Sequence, residues 1–92
     1  MASPRWQKKP DANQQDIVDA LRKIGAKVYD ASRVGQGFPD LIVGYRQCLF
    51  LLEAKTSTGK LNRVQKKFHA EWNGYIHIVR SPEEAISVVT NG

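Results

Sequence analysis

A single cysteine, Cys48, stands in the 92-residue chain, so no intramolecular disulfide framework can form. It lies in the apolar run Cys48-Leu49-Phe50-Leu51-Leu52, where it reads as a small core residue rather than a nucleophile. The two histidines, His69 and His77, are not at paired spacing and have no cysteine partners, which argues against a zinc site. His69 reads as a helix-surface residue and His77 as a strand residue. No apolar stretch approaches the length that spans a bilayer, and residues 1–6 lack a signal-peptide core, so the expectation is a cytoplasmic protein without membrane contact. Acidic residues are scarce: nine Asp and Glu against fourteen Lys and Arg leave a formal charge of +5, which favours a polyanionic partner. A phosphate-binding loop is also missing. Thr56-Ser57-Thr58-Gly59-Lys60 is followed by Leu61 where Ser or Thr is required, and Ala54 occupies the upstream glycine position.

What remains is ordinary globular material, 41% hydrophobic and 25% charged, enough for one small domain. A core of that size is near the lower limit of self-sufficiency, so oligomerisation would help it. Residues 1–10, with Arg5, Lys8 and Lys9, read as a flexible basic arm, and residues 11–92 as a single domain. From Asp11, Ile17, Val18, Leu21 and Ile24 recur at helical spacing, and Gly25 supplies a C-cap. Residues 27–31 read as a strand. A glycine-rich loop over 32–39 leads to a hairpin whose strands are Leu41-Ile42-Val43 and Cys48 to Lys55, joined through Gly44-Tyr45-Arg46-Gln47. Asn62 is an N-cap with Gln65 at the capping-box position, opening a helix that runs to Trp72. Phe68 and Trp72, four apart on that helix, read as core. Residues 75–79 form another strand, and Ser81-Pro82-Glu83-Glu84 starts a last helix. The order α-β-β-β-α-β-α predicts an α/β fold, a mixed sheet flanked by helices.

The chemistry concentrates at one end of the hairpin. Asp40 opens its first strand, and Glu53-Ala54-Lys55 closes its second. Strand alternation sends Glu53 and Lys55 to one face and Ala54 to the other, and hairpin pairing brings Asp40 beside Glu53. Charges at a strand end are ordinary where a strand meets solvent. Here, charges of both signs gather on one face of a greasy sheet, which packing alone does not require. Two hard oxygen donors suit Mg²⁺ or Mn²⁺. A lysine beside them can hold the water that attacks a phosphodiester, or steady the charge that develops.

Pro39-Asp40, a hydrophobic strand, a turn, a second strand and Glu53-x-Lys55 resemble the PD-(D/E)XK nuclease superfamily. The flanking words, Gly35-Gln36-Gly37-Phe38-Pro39-Asp40 and Gly59-Lys60-Leu61-Asn62-Arg63-Val64-Gln65, resemble the VRR-NUC family, with Holliday-junction resolvases as relatives. The resemblance runs from about Asn13 to the end of the chain. It implies a restriction-endonuclease-like fold and a metal-dependent endonuclease acting on branched or flapped DNA without sequence specificity. It further implies a stand-alone, phage-type protein, working in a bacterial or phage-infected cell on DNA repair. In this reading Asp40 and Glu53 bind the ion, with the Ala54 carbonyl as a further ligand, and Lys55 positions the water. Related first helices contribute an acid. Here the wheel that carries Ile17, Val18 and Leu21 inward selects Gln14, an amide, and turns Asp16 to solvent. Gln65 matches the family glutamine, to be read either as a polar contact at the site or as the capping-box partner of Asn62. The two roles would coexist only if its side chain alternated.

Lys60, Arg63, Lys66 and Lys67, and in the preceding loop Arg33 and Gln36, are then candidates for contact with the DNA backbone. Symmetric cutting of a junction by a chain with one site requires a homodimer. The alternatives are a non-catalytic nucleic-acid-binding module of nuclease fold, whose missing first acid has cost it activity, and a structural subunit of a larger assembly.

Overall fold

The computed structural model describes residues 10–91. Residues 1–9 of the expected basic arm, Arg5, Lys8 and Lys9 among them, lie outside the described residues, whereas its last residue, Pro10, belongs to the first helix. Helix α1 spans Pro10–Lys23, one residue earlier than the periodicity predicts. Its end is a Schellman motif: Ala26 N–H reaches the Leu21 carbonyl and Gly25 N–H the Arg22 carbonyl, both at 3.0 Å, with Gly25 at φ +97°. Strand β1 is Lys27–Asp30, β2 is Leu41–Tyr45 and β3 is Cys48–Ala54. Helix α2 is Arg63–Glu71, β4 is His77–Val79 and α3 is Pro82–Asn91. The strands form one sheet in the order β1-β2-β3-β4, antiparallel except for the parallel β3–β4 pair. This is the expected α-β-β-β-α-β-α arrangement of a mixed sheet flanked by helices.

The register Leu41↔Leu52 and Val43↔Phe50 puts these four side chains on one face of the sheet. They are buried there with Val28, Val79, Ile17, Leu21, Ala85 and Val89, so α1 and α3 cover that face and make the core with it. The alternate residues, Leu51 and Glu53, point to the opposite face. The hairpin is tighter than its sequence suggests: Gly44 and Tyr45 stay in β2, and Arg46-Gln47 alone turn the chain, both at positive φ. Cys48 consequently sits at the hairpin mouth and is exposed, not a core residue. β4 begins at His77 rather than at Tyr75, which is 86% exposed. The last helix is capped as expected by Ser81, whose Oγ accepts from Glu84 N–H at 3.1 Å. The Glu84 carboxylate reaches past the cap to Arg80 N–H at 2.7 Å.

α2 has no fully buried residue. It is anchored to the loop before β2, where Phe38 meets Phe68 and Trp72 edge-on at 5.6 and 6.3 Å. Phe68 and Trp72 therefore form a satellite cluster under this loop, not part of the main core. Gly37 makes the contact possible. It lies at φ +84°, and a Cβ there would fall 2.6 Å from the Val64 carbonyl oxygen and 2.9 Å from Phe68 Cβ. Gly37→Ala combines left-handed strain with overpacking, so a loss of about 2–4 kcal/mol is expected. In a domain of this size, that is a fall in melting temperature of roughly 10 °C or more. An unchanged melting curve would show that α2 is not held at this point.

Candidate active site

β2 and β3 place the two acids. Because Leu41 pairs with Leu52, the residue before one and the residue after the other, Asp40 and Glu53, lie side by side at the end of the sheet. Asp40 Oδ2 accepts Ala54 N–H at 3.0 Å, so the side chain takes the place that a further β2 residue would have in the ladder. A strand residue's N–H and C=O leave on the same side, so the Ala54 carbonyl is turned toward Asp40 as well. Lys55 N–H bonds the Val79 carbonyl at 3.0 Å, which extends the β3–β4 pairing one residue and aims Lys55 to the Glu53 face.

Gln65 joins these groups. Its Oε1 accepts from Lys55 Nζ at 2.9 Å and from Asn62 N–H at 3.0 Å, while its Nε2 donates to Glu53 Oε2 at 3.1 Å. Asn62 Oδ1 in turn accepts Gln65 N–H at 2.8 Å, completing the capping box. The expectation that capping and site contact exclude one another is therefore corrected. An amide oxygen has two lone pairs and its nitrogen two donors, so one rotamer serves both roles.

Gln14 is half-buried and lines the same cleft, of about 340 Å³, as Asp40, Glu53, Ala54, Lys55, Lys60 and Gln65. Asp16 is exposed, as the wheel predicts. Arg33, Gln36, Arg63, Lys66 and Lys67 are exposed and do not line the cleft. On α2, Lys66 flanks the Gln65 side, whereas Arg63 and Lys67 lie around the helix from it, and Lys67 pairs with Glu71 at 3.2 Å.

Three contributors escaped the sequence reading. His69 is half-buried, and its Nε2 stands 3.6 Å from Glu53 Oε1 rather than facing solvent. Its position four residues after Gln65 is the signal that could have found it. Asn13, one turn before Ile17 on the inward stripe, donates from Nδ2 to the Lys55 carbonyl at 2.8 Å. Arg80 donates from Nη1 to the carbonyls of Thr56 and Gly59, both at 2.7 Å, and so fixes the loop that leaves Lys55.

Glu53 has no exposed surface. Its pKa is pushed up to about 8, first by burial and then by the Asp40 carboxyl beside it, with Lys55 opposing. His69 is held below its ordinary value, first by burial and then by the charge of Lys55. Glu53 Oε1 is buried without a hydrogen-bond partner among the described residues. A buried carboxylate with one oxygen unpartnered and a second carboxyl, Asp40, beside it fits a small hard divalent cation, which would offset the unfavourable charge balance. Among the described residues, no group of three or more His, Cys, Asp or Glu could hold a metal ion. The donor set is two carboxylates, with amides around them.

No family model matches this sequence, and no curated protein does. Among solved structures, one titled "VRR_NUC domain" superposes on it with a TM-score of 0.69 and 21% sequence identity, over 88% of this chain and 94% of that one. The chain has the fold of that VRR_NUC domain.

Proposed function

We propose that this chain, carrying the VRR_NUC fold, belongs to the VRR-NUC nucleases and hydrolyses DNA phosphodiester bonds with the help of Mg²⁺ or Mn²⁺. The observation that carries the reading is the convergence of buried Glu53, its neighbour Asp40 and Lys55 on one cleft, with Gln65 bridging Glu53 to Lys55. A structural sheet end has no use for a second acid beside a fully buried one. Asp40 and Glu53 would hold the ion, with the Ala54 carbonyl beside them. Bound there, it would supply Lewis acidity to the scissile phosphate and lower the pKa of an attacking water.

The remaining work falls to the chain's own groups. Lys55, held by Gln65 Oε1, directs its ammonium protons at the attacking water and at the charge that grows on the phosphate oxygens. The new P–O bond forms as the bond to the leaving oxygen breaks in line, the attacking water giving up its proton to solvent and the leaving oxygen taking one from it. Lys60 at the cleft and Lys66 beside it contact backbone phosphates, which gives affinity without sequence choice. Branched or flapped DNA is the proposed substrate, and two copies of the chain would be needed to cut a junction symmetrically.

The test is incubation of end-labelled four-way, flapped and linear DNA with the protein in Mg²⁺, Mn²⁺ or chelator. Cutting of branched forms in either metal, and none in chelator, is expected. Binding without cutting under every condition would favour the non-catalytic module, a reading supported by the amide at Gln14.

That amide yields a separate expectation. Gln14→Glu adds a charge at the cleft, worth several kcal/mol beside a divalent ion at an effective dielectric near 20, before desolvation is subtracted. Mn²⁺ affinity measured by calorimetry should tighten by about tenfold or more. Asp16→Ala, on the exposed side, should leave it unchanged. The opposite pair of results would mean that Asp16, not Gln14, serves the site.

A further inference from the structure

Glu53 Oε1 and His69 Nε2 face each other across 3.6 Å. Both atoms are buried, and neither has a hydrogen-bond partner among the described residues. A buried polar atom left alone is costly, and here each is the other's remedy. Closing the gap to hydrogen-bonding distance takes a movement of roughly 0.7 Å, within the reach of a side-chain rotation.

We infer that His69 is a positioning residue: its neutral imidazole, protonated at Nε2, donates to Glu53 Oε1 and, with Gln65 on Oε2, clamps that carboxylate in the orientation that presents it to a cation beside Asp40. Three observations bear on it. Gln65 and His69 are one turn apart on α2, so a single helix face supplies both donors. Gln65 Nε2 already occupies Glu53 Oε2 at 3.1 Å, which leaves Oε1 as the atom still to be held. The third is the nature of the donors. An amide and a neutral imidazole fix the plane of a carboxylate without neutralising it, and each carboxylate oxygen keeps a lone pair for a cation. A lysine or arginine in either place would compete with the ion. The ammonium of Lys55 is instead taken up by Gln65 Oε1 at 2.9 Å. The anchoring of α2 at Gly37 and Phe38 then acquires a role, because it sets the distance at which the clamp meets β3.

The inference rests on the proposed cation site, and its test is built to separate the two. Mn²⁺ binding to the full chain is measured by calorimetry for wild type, His69→Phe and His69→Gln. Phenylalanine fills the space without a donor, whereas glutamine restores an N–H near the same point. Affinity should fall about 10- to 100-fold in His69→Phe and recover to within roughly threefold of wild type in His69→Gln. Wild-type affinity in His69→Phe overturns the clamp. So does equal weakness of both variants, which would make the imidazole a direct ligand. Long-range ¹H–¹⁵N correlation on the wild-type chain gives a reading that needs no variant to fold. The proton should reside on Nε2 both before and after Mg²⁺ is added, and a proton on Nδ1 overturns the clamp. A wild-type chain that binds no Mn²⁺ would remove the cation site, and the nitrogen spectrum would still decide the hydrogen bond.

Discussion

Alanine at Asp40, Glu53 or Lys55 is expected to reduce DNA cleavage by roughly a thousandfold or more, and a double variant should be little worse than a single one. The three groups act on the same phosphate, so losing one disables the others. Asp40→Ala removes the carboxylate that stands in the β-ladder against Ala54 N–H. Lys55→Ala removes the only ammonium bonded to Gln65 among the described residues. Circular dichroism should show the fold retained in each. The measurement is single-turnover cleavage of end-labelled DNA. Wild-type cutting by Lys55→Ala would remove the proposed chemistry.

Stability should depend on pH in a way that identifies Glu53. Its pKa is raised from an ordinary 4.5 to about 8, by burial first and by Asp40 second. Between those values the folded chain keeps a proton that the unfolded chain has released. Rising pH therefore favours unfolding, at up to about 1.4 kcal/mol per pH unit. His69, held neutral by burial, acts in the opposite sense: the unfolded chain takes up a proton below pH 6.5, so falling pH lowers stability there. From pH 6.5 to 8 the Glu53 effect should thus stand alone. In chelator it amounts to roughly 2 kcal/mol, about 10 °C of melting temperature. Glu53→Gln should flatten the slope and raise the melting temperature at pH 8. Mn²⁺ should flatten it in the wild type, because a cation offsets the like charges. A flat wild-type profile in chelator, or the same slope in Glu53→Gln, would show that Glu53 is not the group responsible.

The part of the site built by local rules was readable from the chain. Strand alternation and hairpin pairing are enough to bring Asp40, Glu53 and Lys55 together. Helical phase is enough to turn Gln14 inward and Asp16 outward. The capping box at Asn62 and Gln65 was readable for the same reason, since it is closed within four residues. What could not be read depends on contacts distant in sequence. The face that α2 shows to Glu53 is set by its anchorage at Gly37 and Phe38, so His69 looked like a surface residue. Asn13 and Arg80 act through the carbonyls of Lys55, Thr56 and Gly59, which no side-chain pattern advertises. Cys48 looks like a core residue because an apolar run implies burial along its whole length, although a hairpin mouth is open at the sides. For Gln65 the two roles look exclusive in the sequence, yet one amide has groups enough for both.

The measurement that tests the central claim most directly is anomalous diffraction from crystals grown with Mn²⁺, recorded near the manganese edge. The account predicts a peak between the carboxylates of Asp40 and Glu53, within reach of the Ala54 carbonyl, and no such peak in Glu53→Gln. Manganese bound elsewhere on the chain, or a cleft without a peak at saturating Mn²⁺, would contradict it.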